Sequence, residues 1–182
     1  MNGIIKETKR LFIRPMKRKD YPAWLHSFQN RKPSQYKYDP GIMDMSICTE
    51  AWFQSLVDKH KKMAEDDEVY VFGIFRKDDG AHIGNIDFST LLRMNFQWAC
   101  FGYTVHNQYF RQGDGSEAVK AAFEIAFEHL NYQRIEAHIN LDNHPSIKLA
   151  ESAGMSFECV RQGFIYEDNQ WTDHLVYTIQ RS

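Results

Sequence analysis

Three β-rich runs follow one another between residues 69 and 105, and they limit the fold more than any other feature of the chain. Val69-Tyr70-Val71-Phe72-Gly73-Ile74-Phe75 is dense in β-branched and aromatic residues. Asp78-Asp79-Gly80 is a turn signal, and His82 to Ser89 reads as the hairpin partner. So short a connection pairs strands antiparallel. Trp98 to Val105 reads as a third long strand, which predicts a β-meander through the central half. The period then changes. From about Gly113 to Leu130, Val119, Ala122, Phe123, Ala126 and Leu130 form one helical stripe. A strand (Arg134 to Asn140), a short helix (about Ser146 to Ser152) and two strands around Phe157–Phe164 and Asp173–Ile179 complete the order. Strand, helix, strand after a meander predicts a mixed sheet in an α+β domain.

Ahead of the meander, Leu11 to Arg14 predicts a short strand stopped by Pro15. Lys19 to Phe28 predicts a short helix with Trp24, Leu25 and Phe28 on one face. Thr49 can cap a helix running to about Glu65. Arg31 to Ser46 carries two Pro and a Gly and reads as a loop, in which Tyr36 and Tyr38 are aromatics able to cover a pocket.

A length of 182 residues predicts a single domain over 1–182. With 22 Lys+Arg against 24 Asp+Glu, the net charge of −2 argues against a basic nucleic-acid face. Hydrophobic residues at 43% exclude disorder, yet no apolar run reaches the ~20 residues of a membrane span. The opening Met1-Asn2-Gly3-Ile4-Ile5-Lys6-Glu7 shows no signal-peptide core, so a cytoplasmic protein is expected. Cys48, Cys100 and Cys159 form no C-x-x-C, and the eight His form no H-E-x-x-H. Neither a disulfide framework nor a metal site is expected.

The segment Val105-His106-Asn107-Gln108-Tyr109-Phe110-Arg111-Gln112-Gly113-Asp114-Gly115-Ser116-Glu117-Ala118 carries the chemistry. A strand ends, a glycine-rich turn follows and a strong helix begins. The first helical turn leaves backbone N–H groups unpaired at the positive end of the dipole. Gly113 and Gly115 remove Cβ atoms, so a phosphate can approach the backbone, and Arg111 can add charge. The turn is therefore a candidate anion cradle, most naturally for a pyrophosphate. Gly-Asp-Gly-Ser-Glu-Ala formally satisfies the dinucleotide fingerprint G-x-G-x-x-A. Residues 106 to 112 separate it from its strand, however, and too little chain follows for a doubly wound sheet. No Gly-Lys-Ser/Thr of a P-loop occurs. The plain alternative is that these glycines only shape a loop.

The next segments add a resemblance. Tyr109-Phe110, Gly113-x-Gly115, Arg134-Ile135-Glu136-Ala137, Asn143-x-x-Ser146 and Gly154-Met155 stand in the order seen in the GNAT superfamily, and within it in RimJ/RimL-like N-acetyltransferases. Asn169-x-Trp171-x-Asp173 resembles the closing turn and strand of that family, so the likeness runs from about Arg10 to Ile179. It implies a mostly antiparallel mixed sheet with splayed central strands, acetyl-CoA as donor and a primary amine as acceptor. It also implies pyrophosphate on the amides of Arg111, Gln112, Gly113, Asp114, Gly115 and Ser116. The pantetheine arm would run beside Tyr103, Thr104 and Val105, Asn143 would bond it, and Ser146 would stand near the thioester sulfur. A carboxylate at Asp114 repels a pyrophosphate unless it points away.

Acyl transfer then needs an oxyanion donor, an acid for the departing thiolate and a base for the amine. A backbone N–H near Val105 is the oxyanion candidate. Many relatives place a Tyr acid on the helix after the Asn; here that position is Ala150, which leaves Ser146 as the weaker donor. Asp87 is the candidate base, with Glu158, Glu167 and His106 as lesser ones. Tyr36, Phe88 and Tyr166, together with Trp24 and Tyr38, are candidates to line the acceptor site. The late strands around Trp171 are a candidate homodimer edge. A CoA-binding module without chemistry, a small-molecule (aminoglycoside or polyamine) acetyltransferase and a nucleotide-binding protein are the competing readings.

Overall fold

The computed structural model describes residues 3–181, so Met1 and Asn2, which open the segment read for a leader, and Ser182 lie outside the described residues. One eight-stranded sheet organises the chain: β1 (Lys6–Glu7), β2 (Leu11–Arg14), β3 (Val69–Arg76), β4 (His82–Leu92), β5 (Trp98–Val105), β6 (Arg134–Asn140), β7 (Ser156–Glu167) and β8 (Gln170–Gln180). Its spatial order is β1-β2-β3-β4-β5-β6-β8-β7. All neighbours are antiparallel except β5 and β6. That parallel pair follows from the crossover helix between them, since a parallel partner cannot be reached by a tight turn. No helix among the described residues is long and apolar enough to cross a membrane.

β5 and β6 are in register only at Trp98↔Arg134, Ala99↔Ile135 and Cys100↔Glu136. Beyond Cys100 they part, and a gap opens in the middle of the sheet. The splay implied by the family resemblance is therefore present.

Helices cover both faces. α1 (Tyr21–Gln29) and α2 (Glu50–Glu65) put Trp24 and Phe53 against Met16 and Phe75. Thr49 Oγ1 accepts from Trp52 N at 3.2 Å and so caps α2 as its sequence predicts. On the other face α3 (Asp114–Glu128) buries Val119, Ala122, Ile125 and Ala126 against β1, β2 and β4. Phe72, Phe88 and Ile135 are fully enclosed there, each contributing roughly 1.5–3 kcal/mol. α4 (His144–Ser152) starts earlier than the sequence suggested, because Asn143 Oδ1 accepts from Ser146 N at 3.3 Å and caps it. β7 and β8 run longer than read because Asp168 and Asn169, at φ +49° and +63°, close them into a tight hairpin.

Candidate functional site

The turn ahead of α3 has the cradle geometry that its glycines suggest. Gly113 is the N-cap at φ +83°, a left-handed conformation that a Cβ disfavours. The first helical bond in this stretch is Glu117 N to Gly113 O, at 3.2 Å. Among the described residues, the consecutive amides of Arg111 to Ser116 donate to no acceptor. Gly115 faces Leu149 and Val105, and a Cβ there would reach them at 3.5 and 3.7 Å.

These amides border a cavity of about 510 Å³ between the end of β5 and the start of α4. Tyr103, Thr104 and Val105 line it from β5, and Asn143, Ser146 and Leu149 from the start of α4. Arg111, Gln112, Gly113, Gly115 and Ser116 complete one end. His106 N donates to Ile83 O across the β4 ladder at 2.9 Å. Ladder alternation then turns the N–H groups of Val105 and Tyr103 toward the gap.

The remaining wall comes from the loop between α1 and α2, through Gln35, Tyr36, Tyr38 and Pro40. A buried ion pair fixes this loop. Arg31 Nη2 donates to Asp39 Oδ1 at 2.7 Å, with side-chain exposures of 1% and 0%. Asp39 Oδ2 accepts from Gln35 N and from Asn107 Nδ2, both at 2.9 Å. Burial works to raise the Asp39 carboxyl, but these bonds and the Arg31 charge outweigh it and hold the group below its ordinary value. At the mouth, Lys37 Nζ and the Tyr38 hydroxyl both reach Asp142, next to Asn143.

The same arginine orders two histidines. Arg31 has only donors, so His106 Nδ1 accepts from Nη1 at 3.1 Å. His106 Nε2–H then donates to His82 Nδ1 at 3.3 Å, and His82 Nε2–H to Asn85 Oδ1 at 3.1 Å. Burial drives both toward the neutral form, His82 to about 4 and His106 to about 3. His106, a lesser base candidate from the sequence, is 1% exposed and bound on both ring nitrogens.

Asp87 does not line the cavity. Alternation along β4 puts it on the face opposite Ile86 and Phe88. Its carboxylate lies flat over Gly102, its register partner on β5, where a Cβ would stand 2.7 Å from Oδ1. It has no hydrogen-bond partner among the described residues, and burial raises its pKa. Asp87 therefore approaches the gap from the side away from α3.

Other candidates require correction. Phe88 is fully buried between Phe101 and Tyr132 and has no surface for an acceptor. Tyr166 stands 60% exposed on the β7–β8 hairpin beside Trp171, outside the cavity. Trp24 packs in the α1–α2 core. The Asp114 carboxylate turns from the cradle to Arg10 Nη1 at 3.0 Å, leaving only its amide to serve there. Glu158 pairs with Arg134, and Glu167 accepts from Asn140 and Thr172, both away from the cavity. Ala150 is buried in the core, so α4 presents no hydroxyl at that position. A hydroxyl arrives from β5 instead: Tyr103 donates to Ser146 O at 3.4 Å, and burial pushes its pKa up to about 12. The family resemblance implies a role only for the Tyr103 backbone. Its side chain faces the cavity because it alternates with Gly102 and Thr104 along the strand.

The family model described as "Acetyltransferase (GNAT) domain" matches residues 10–156. The Bacillus subtilis (strain 168) protein named "Probable N-acetyltransferase YjcK" is 27% identical over 171 residues, spanning 94% of this chain and 94% of the relative. Ribosomal protein uS5-alanine N-acetyltransferase of Escherichia coli (strain K12) is 24% identical over 169 residues, spanning 93% and 87%. The structure of Mycobacterium smegmatis RimJ in complex with CoA-disulfide superposes with a TM-score of 0.74 at 21% identity, covering 93% of this chain and 81% of that one. The family match takes in the meander, the cradle and the strands flanking the gap, and the chain belongs to the GNAT acetyltransferase family.

Proposed function

We propose that this protein transfers an acetyl group from acetyl-CoA to a primary amine, with the α-amine of a protein or peptide N-terminus as its preferred acceptor. The run of unpaired amides from Arg111 to Ser116, bordering a cavity walled by β5 and the start of α4, carries the reading. Six consecutive donors at a helix N-terminus suit a diphosphate, and the absent Cβ of Gly115, which would point at the cavity-lining Leu149 and Val105, leaves the approach clear. The family uses acetyl-CoA, and a structural neighbour is a CoA complex.

Acetyl-CoA supplies the activated acyl group. The amides and Arg111 hold its phosphates. Asn143 spends Oδ1 on the α4 cap, so Nδ2 is available to a pantetheine carbonyl. The N–H of Val105 faces the gap and is positioned to stabilise developing oxyanion charge, an effect worth about 2.7–4 kcal/mol per donor in acyl transfer. Ser146 and Tyr103 offer hydroxyls for the departing thiolate. Asp87, on the opposite face, is the base for an amine entering from that side.

Acceptor preference follows from proton affinity. An α-amine has a pKa near 8 and a Lys amine near 10.4, so freeing the latter costs roughly 3 kcal/mol more at neutral pH. A single half-buried carboxylate suits the easier acceptor. The likeness to the uS5-alanine acetyltransferase points the same way. A thiol-release assay with acetyl-CoA over N-terminal peptides, polyamines and aminoglycosides tests this. Turnover is expected with peptides bearing a free α-amine. CoA binding with no release on any amine would leave a non-catalytic CoA-binding module, and turnover confined to polyamines or aminoglycosides would overturn the acceptor class.

A further inference from the structure

Arg10 lies just before β2, far in sequence from the cradle, yet its guanidinium sits against it. Nε donates to Glu117 Oε2 at 2.7 Å, and the Arg10 amide donates to Glu117 Oε1 at 2.8 Å. Thr8 Oγ1 donates to the same Oε1 at 2.5 Å. Glu117 is thereby pinned, and in turn it fixes the plane of the guanidinium. Nη1 then donates to Gln112 O at 2.8 Å and meets Asp114 Oδ1 at 3.0 Å. Nη2 is so close beneath Gly113 that a Cβ there would stand 3.2 Å from it.

Two consequences follow. In a planar trans peptide the carbonyl of one residue and the N–H of the next point in opposite directions. Arg10 holds the Gln112 carbonyl on its own side, so the Gly113 N–H is sent to the other, toward the cavity that Gly113 lines. The second concerns charge. A carboxylate in the first turn suits the helix dipole, but a free one competes with a bound anion for the same amides. The Asp114 side chain is 3% exposed and tied to Arg10, out of that competition.

We propose that Arg10 is a positioning residue for the CoA diphosphate, aiming the Gly113 amide into the cradle and holding the Asp114 carboxylate out of it. This rests on the acetyl-CoA reading above. It assigns the N-terminal strand edge a part in donor binding.

The test compares wild type, Arg10→Met, Arg10→Lys and Arg10→Met/Asp114→Asn. CoA affinity is read by calorimetry, and steady-state kinetics use two donors, acetyl-CoA and acetyl-pantetheine, which lacks the diphosphate. In Arg10→Met, CoA affinity falls about ten- to a hundredfold, the range of one hydrogen bond to a charged group. KM for acetyl-CoA rises in step, kcat at saturation holds, and kcat/KM for acetyl-pantetheine is unchanged. Asp114→Asn in that background restores part of the affinity, because it removes the freed charge. Should Arg10→Met fail to fold, Arg10→Lys carries the comparison, since a compact ammonium lacks the planar fork by which the guanidinium spans Glu117, the Gln112 carbonyl and Asp114. Unaltered CoA affinity in the variant that folds overturns the proposal. An equal loss with acetyl-pantetheine also overturns it, by showing a general structural role. Wild type that binds no CoA refutes the donor reading itself, a result distinct from either.

Discussion

Replacing Asp39 with Asn removes one charge and almost no volume from the loop wall. Every group facing that carboxylate is a donor: Arg31 Nη2 at 2.7 Å and Gly41 N at 3.0 Å on Oδ1, Gln35 N and Asn107 Nδ2 at 2.9 Å on Oδ2. The new amide nitrogen opposes two donors whichever way it is turned. Arg31, 1% exposed, is left charged without its partner. Breaking a buried pair from one side costs about 3–5 kcal/mol. Against a total stability on the order of 5–15 kcal/mol, that is a large fraction. For a chain of this size it corresponds to a fall in melting temperature of about 6–20 °C. Urea unfolding followed by tryptophan fluorescence measures it directly. The double variant Asp39→Asn/Arg31→Met is expected to lose much less than the sum of the singles, since it removes the stranded charge. The wild-type carboxyl titrates below its unfolded value, so its contribution is complete above about pH 4 and lost as pH falls further. Asp39→Asn flattens that acid limb. A loss under about 1 kcal/mol, or additive singles, would refute the assignment of the wall to this pair.

Three further outcomes are expected. Gly113→Val places a branched side chain at φ +83° and against Arg10, at a backbone cost of about 1–2 kcal/mol. Calorimetry should show CoA affinity down at least about tenfold in the folded variant, and unchanged affinity would count against the cradle. Asp87→Asn should lower kcat/KM by about 10²–10⁴ and abolish its rise with pH through the raised carboxyl pKa; a retained acidic limb would place the base elsewhere. His82 and His106 are neutral when folded, at about 4 and about 3. Protons therefore favour the unfolded chain once pH drops below about 6.5. The urea midpoint should fall between about pH 6.5 and pH 4, and a flat midpoint there would show that these imidazoles accept protons in place.

Local signals were readable in the chain. Pro15 ends β2, Thr49 caps α2, and Gly113 marks the turn into α3, because each acts on its own neighbours in sequence. The glycine-marked turn ahead of α3 was legible for the same reason. What escaped depends on partners far along the chain. The loop wall rests on Arg31, Asp39 and Asn107, and the buried state of Asp114 on Arg10. No spacing within either segment announces those pairs. Strand parity separates two of the candidates. Asp87 and Phe88 are consecutive in β4, so alternation forbids both from facing one site, and Phe88 went to the core. The same parity directs the Tyr103 phenol toward the start of α4, where Ala150 presents no hydroxyl.

The brief contact between β5 and β6 has a mechanical meaning. The sheet is two leaves, five strands and three, stitched along the ladder at Trp98–Cys100 and Arg134–Glu136 and linked by the crossover through α3. On the proposed reading, a donor in the cavity bears on β5 of one leaf and on α4, which follows β6 of the other, and acts as mortar between them. Slowed amide exchange on both sides of the seam would then report occupancy even where no chemistry occurs.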